Sequence, residues 1–125
     1  MLSRAAMVRI AIDQYFATID KDSIKETLGF FRPDASFTLY PSGRVFTGHK
    51  QIADMYAGVF ARHERIDREI LEVAADTETG TLCASFKAMA YPKDRPPMTM
   101  HNVNFWRFEG RQFAWVKVYS SDRAL

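Results

Sequence analysis

At 125 residues, 47% of them hydrophobic and 26% charged, the chain is long enough for one domain with a substantial core and too apolar to stay disordered. A single cysteine, Cys83, excludes an internal disulfide framework and a cysteine-built zinc cluster. Lys and Arg total 17 against 15 Asp and Glu, interleaved as in Arg62-His63-Glu64-Arg65-Ile66-Asp67-Arg68-Glu69, which describes a solvated mixed surface rather than the one-sign stripe that grips nucleic acid.

From the N-terminus, Ser3 to about Ile19 carries Val8, Ile12, Tyr15, Phe16 and Ile19 at spacings of three and four, the period of an amphipathic helix. Arg9 and Asp13 interrupt what would be the apolar stretch of a secretion signal, so a cytoplasmic location is the default expectation. Ser23 and Glu26 form a capping box for a second helix whose apolar side is Leu28, Phe30 and Phe31, and Pro33 stops it near Arg32. Alternation takes over at Ala35. Ser36-Phe37-Thr38-Leu39-Tyr40 reads as a strand, Pro41-Ser42-Gly43 as a turn and Arg44-Val45-Phe46 as the return. Thr47 and Gly48 open a third helix to Ala61, with Ile52, Met55, Tyr56, Val59 and Phe60 on its apolar side.

The remainder reads as strands: Ile66 to Ala75, Leu82 to Tyr91, Met98 to Phe108 and Gln112 to Ser120, punctuated at Thr79-Gly80, at Pro92, Pro96 and Pro97, and at Glu109-Gly110. The longest run without Lys, Arg, Asp or Glu, Pro96 to Trp106, is far short of the ~20 residues of a membrane helix. Helices first and a strand meander afterwards predict an α+β fold, with the helices on one face of a mainly antiparallel sheet in a single domain of residues 1–125. Ten Phe, five Tyr and two Trp suit a broad apolar interior, a lined cavity or an aromatic interface.

Four stretches resemble one known group. Tyr15-Phe16 running into Asp20-Lys21-Asp22, Phe30-Phe31-Arg32-Pro33-Asp34-Ala35-Ser36-Phe37, Gly48 with Ile52 and Tyr56, and Asn104-Phe105-Trp106-Arg107-Phe108-Glu109-Gly110-Arg111 followed by Trp115 and Tyr119 are similar to the nuclear-transport-factor-2-like (NTF2-like) superfamily. The likeness is to its SnoaL-like, polyketide-cyclase-like and ketosteroid-isomerase-like members. What the resemblance implies is a cone: three helices in the N-terminal half packed on a curved sheet around an apolar pocket, with homodimers formed through the outer sheet face. It does not fix an activity, since one architecture carries many.

Carried over residue by residue, the resemblance places Tyr15 where the ketosteroid isomerases hold a hydrogen-bond donor to the substrate oxygen, although a tyrosine on an apolar helix face also serves as core. Their general base, an aspartate before a proline, falls at Tyr40, and their second oxyanion donor falls at Asn104. Neither replacement can act as a carboxylate, which argues against steroid-isomerase chemistry. Period-two geometry and the resemblance together turn Asn102, Asn104 and Trp106 inward and His101 outward, and turn Phe113, Trp115, Lys117 and Tyr119 inward on the last strand. Lys117 would then meet a ligand oxygen, or sit at a rim with its stem across the rings. His49, His63 and His101 lack any metal-ligand spacing, and no acidic pair shares an inward face.

Two readings follow. In the first, the cone holds a small hydrophobic carbonyl or phenolic molecule and, in an enzyme, moves a proton without cofactor or metal. Tyr15 and Asn104 would steady the oxyanion, Lys117 or His101 would move the proton, and Tyr40, Asn102, Trp106, Trp115 and Tyr119 would line the site. In the second, the chain is a non-catalytic association domain that dimerises through Val103, Phe105, Val116 and Val118.

Overall fold

The computed structural model describes residues 1–125. The first helix runs over residues 4–20, capped by the Ser3 hydroxyl, which accepts from the Ala6 amide at 3.1 Å. Its middle, Arg9–Tyr15, widens into a π-helix between the α-helical turns Arg4–Val8 and Phe16–Asp20. The wider turn changes the buried stripe: Met7, Ile10, Ala11, Tyr15 and Ile19 face the core, while Val8 and Ile12 are only partly covered.

The second helix, Ile24–Leu28, starts on Ser23, whose side chain accepts from the Glu26 amide. It is shorter than the sequence predicts. Phe31 leaves it to begin β1, Phe31–Tyr40, so Arg32, Pro33 and Asp34 belong to a strand. Thr18 donates to the Tyr15 carbonyl at 2.7 Å and so accepts from Thr27 at 2.9 Å, which pins the second helix to the first inside the core. The third helix, Gly48–Arg62, follows β2, Arg44–Thr47; here Gln51 Oε1 accepts from the Thr47 amide at 2.8 Å where a threonine cap was expected.

Four longer strands complete the chain: β3, His63–Asp76; β4, Thr81–Pro92; β5, Met98–Glu109; and β6, Gln112–Ser120. They form one sheet in the order β2-β1-β6-β5-β4-β3, antiparallel throughout except where β1 runs parallel to β6. Alternation along β4 and β5 turns Leu82, Ala84, Phe86, Ala88 and Ala90, then Met100, Asn102, Asn104, Trp106 and Phe108, toward the helices. At the narrow end Phe113 packs edge-on against Tyr15, Phe31 and Phe108, with ring centroids 5.1 to 5.4 Å apart.

β6 departs from simple alternation. Phe108 pairs with Phe113 but Arg107 pairs with Trp115, so Ala114 is an extra residue, a bulge. Beyond it the faces exchange. Val116 and Val118 point inward, while Trp115, Lys117 and Tyr119 point outward, the reverse of the sequence expectation.

Candidate functional site

Between the sheet and the helices lies a cavity of about 510 Å³, open at one end. Its floor and walls are Tyr15, Phe16, Phe37, Tyr56, Phe86, Ala88, Met100, Asn102 and Asn104; its mouth is formed by the C-terminal half of the third helix, the 93–97 loop and the 121–125 segment. The alanines at 84, 88 and 90 of β4 keep the sheet's concave face shallow where larger residues would fill it.

The polar groups on this apolar lining are few. Tyr15 and Tyr56, one from each long helix, share a hydrogen bond between their hydroxyls. The pair holds two protons and uses one internally, leaving one O–H to donate. Burial pushes both phenols above their ordinary range, Tyr15 the further because the neighbouring Tyr56 adds to the effect, with the Arg68 guanidinium pulling both back. They are therefore neutral donors at any physiological pH. Arg68 itself lies over the Phe16 ring at 4.3 Å and is ion-paired to Asp20 at 2.7 Å.

Asn102 and Asn104 are 8% and 4% exposed, and the carbonyl oxygen of each is buried without a hydrogen-bond partner. Those oxygens are closed off from the cavity; the Nδ2 groups, which have no hydrogen bond within the protein and are not closed off with them, are the part of each amide that can meet a ligand. At the mouth, His63 Nδ1 lies 2.9 Å from the Val59 carbonyl, which can only accept; the ring proton is on Nδ1 and Nε2 keeps its lone pair.

Three of the sequence-derived site residues, Tyr15, Asn102 and Asn104, meet in this cavity. Trp106 points inward but is wholly buried, 5.7 Å from Phe16 between ring centroids, as part of the core beside the cavity. The remaining five lie outside. Tyr40 stacks on Tyr119 at 4.5 Å on the outer sheet face, Lys117 covers the Trp115 indole at 4.6 Å, and His101 is exposed on β5. His101 and Lys117 thus have no access to a ligand in the cone, and the Ala114 bulge is the reason for Lys117, Trp115 and Tyr119. Tyr56, His63 and Arg68 went unselected. Tyr56 was counted among apolar helix positions, and His63 and Arg68 were hidden in a stretch that reads as mixed surface charge. No three His, Cys, Asp or Glu side chains gather closely enough to hold a metal ion.

A family model described as a SnoaL-like domain matches residues 12–116. The chain belongs to the SnoaL-like family. Within that NTF2-like superfamily, solved structures overlay closely. AusH from Aspergillus nidulans matches with a TM-score of 0.85 at 11% identity, covering 98% of this chain and 88% of that one. An NTF2-like protein of unknown function from Burkholderia pseudomallei matches at 0.79 and 13%, covering 94% and 90%. An LEH-like epoxide hydrolase from M. tuberculosis matches at 0.77 and 8%, covering 94% and 84%. At such identities the likeness is one of fold alone. No curated protein matches the sequence.

Proposed function

We propose that the cavity takes up a small, largely apolar carbonyl or phenolic compound and moves a proton on it without a cofactor, as in enolisation, isomerisation, dehydration or cyclisation. One observation carries the reading: on a largely apolar wall, the amides of Asn102 and Asn104, whose Nδ2 groups have no partner within the protein, stand beside a tyrosine pair with one proton to give. A ligand oxygen among them is met by neutral O–H and N–H donors that do not reorganise as charge develops. His63, which lines the cavity and binds the Val59 carbonyl through Nδ1, is the imidazole able to take a proton there through Nε2, in place of Lys117 or His101.

The test is a fluorescence titration with methyl 6-hydroxy-2-naphthoate, an apolar ring system with one phenol. Asn104→Leu keeps the volume and removes the amide; binding of the ester is expected to weaken about tenfold or more. Unchanged affinity in that variant overturns the assignment.

The outer face supports a companion reading as a homodimer surface. Val103, Phe105 and Tyr119, with Tyr40 stacked on Tyr119, form an apolar patch away from the cavity, bordered by Lys117 over Trp115. Val116 and Val118, first counted with that face, are core.

A further inference from the structure

The side chains that line the cavity carry more positive than negative charge. Four arginines line it, Arg44, Arg62, Arg68 and Arg95, against two aspartates, Asp54 and Asp122. Of the acids, Asp54 is paired with Lys50 at 3.2 Å, and Asp122 accepts from the Ala124 amide at 2.9 Å. Arg68 is held by Asp20, while Arg44 leans on Ser42 at 3.4 Å. Arg62 and Arg95 have neither an ion-pair partner nor a side-chain hydrogen bond. The carbonyls near them are already occupied: Val59 by His63, Arg62 by the Lys93 amide at 2.9 Å, and Leu125 by the Ser42 amide at 3.0 Å.

Gly58 explains how Arg62 comes to lie there. A Cβ built on Gly58 would stand 2.9 Å from Arg62 Nη1, so the guanidinium rests in the space left by the absent side chain, against the cavity wall that Gly58 lines. Glycine within a helix is unfavourable relative to alanine. Here its backbone is ordinary helix, so the room it makes for the guanidinium is its visible structural effect.

We infer that the ligand of this cavity is an amphiphilic carboxylate, its apolar body and one oxygen at the Tyr15, Tyr56 and Asn104 end and its carboxylate at the mouth between Arg62 and Arg95. A planar carboxylate matches the forked donors of a guanidinium, and both arginines are exposed with those donors free to take it. This rests on the reading of the cavity as a carbonyl or phenol site and adds the second end of the molecule.

The experiment compares 6-hydroxy-2-naphthoate with its methyl ester, two probes alike but for the charge, by fluorescence titration at low salt. The acid is expected to bind about tenfold tighter than the ester, with the advantage shrinking as salt is raised. Arg62→Gln with Arg95→Gln is expected to erase the preference while leaving ester affinity in place. Gly58→Ala is expected to raise the melting temperature, as an alanine in a helix should, and yet to weaken binding of the acid alone by displacing Arg62. Equal affinity for acid and ester overturns the carboxylate inference and leaves the cavity reading intact. A preference that survives the double glutamine variant overturns the role of these arginines. Failure of both probes to bind overturns the cavity reading and this inference with it.

Discussion

Asn104 has opposite effects on folding and on binding. Its amide carbonyl is buried without a partner, so Asn104→Leu is expected to stabilise the protein by about 1 kcal/mol while it removes affinity for the phenolic probe. Thermal melts alongside titrations check the pairing; a destabilised variant would mean the amide is satisfied in solution. The tyrosines make a second prediction. Burial raises both phenols above the unfolded value of about 10. Their contribution is therefore fully present below about pH 10 and is lost as pH climbs from there toward the folded values, because only the unfolded chain gives up the protons. Melting temperature followed from neutral to strongly alkaline pH should fall steeply above pH ~10, and less steeply in the Tyr15→Phe, Tyr56→Phe double variant.

Among the elements, β6 divides the two tryptophans. Trp106 is sealed in the core, and Trp115 stands outside under Lys117. Trp106→Ala is expected to cost about 3–5 kcal/mol and Trp115→Ala about 1 kcal/mol, read by urea denaturation. In the monomeric Phe105→Glu variant an aqueous quencher should reach Trp115 and leave the emission of the sealed Trp106 intact. Loss of both signals, or of neither, would contradict the bulge at Ala114. That bulge also marks where sequence ended as a guide. Helix and strand positions are legible because their periods of 3.6 and 2 are written in the apolar spacing; period two groups Met100, Asn102, Asn104 and Trp106 on one face, and the family resemblance turns that face inward. A bulge leaves no such mark, since Ala114 is as ordinary a strand residue as its neighbours, and one inserted residue reversed every assignment after it. Tyr15, Asn102 and Asn104 were found from strand parity and family position. Arg62 and Arg68 could not be, because their meaning depends on a mouth that only the folded chain creates.

For the whole molecule, the cone leaves its convex face apolar in the middle. Phe105, set edge-on to Tyr119 at 5.9 Å, is near the centre of that area. Native mass spectrometry is expected to find a dimer near twice 14.4 kDa for the wild type and a monomer for Phe105→Glu, with ligand binding preserved in the monomer. A monomeric wild type would remove the outer face as an interface. The two faces of the sheet would then have separate tasks, the concave one chemical and the convex one, with its tyrosine stack, a matter of surface alone.

The position of β6 bears on how the protein is made. This strand follows the other five in sequence and yet lies in the middle of the sheet, paired to β1 on one side and β5 on the other. Phe113, at its start, is the ring on which Tyr15, Phe31 and Phe108 converge. While the ribosome still holds residues 112–120, β1 and β2 have no sheet to join, and the rings at 15, 31 and 108 lack their common neighbour. Contacts between such distant parts of a chain form slowly, because loop closure comes before any gain from pairing. Until β6 has left the ribosome, the nascent chain therefore carries the two halves of its cavity apart, and the site closes only when that strand pairs with both neighbours.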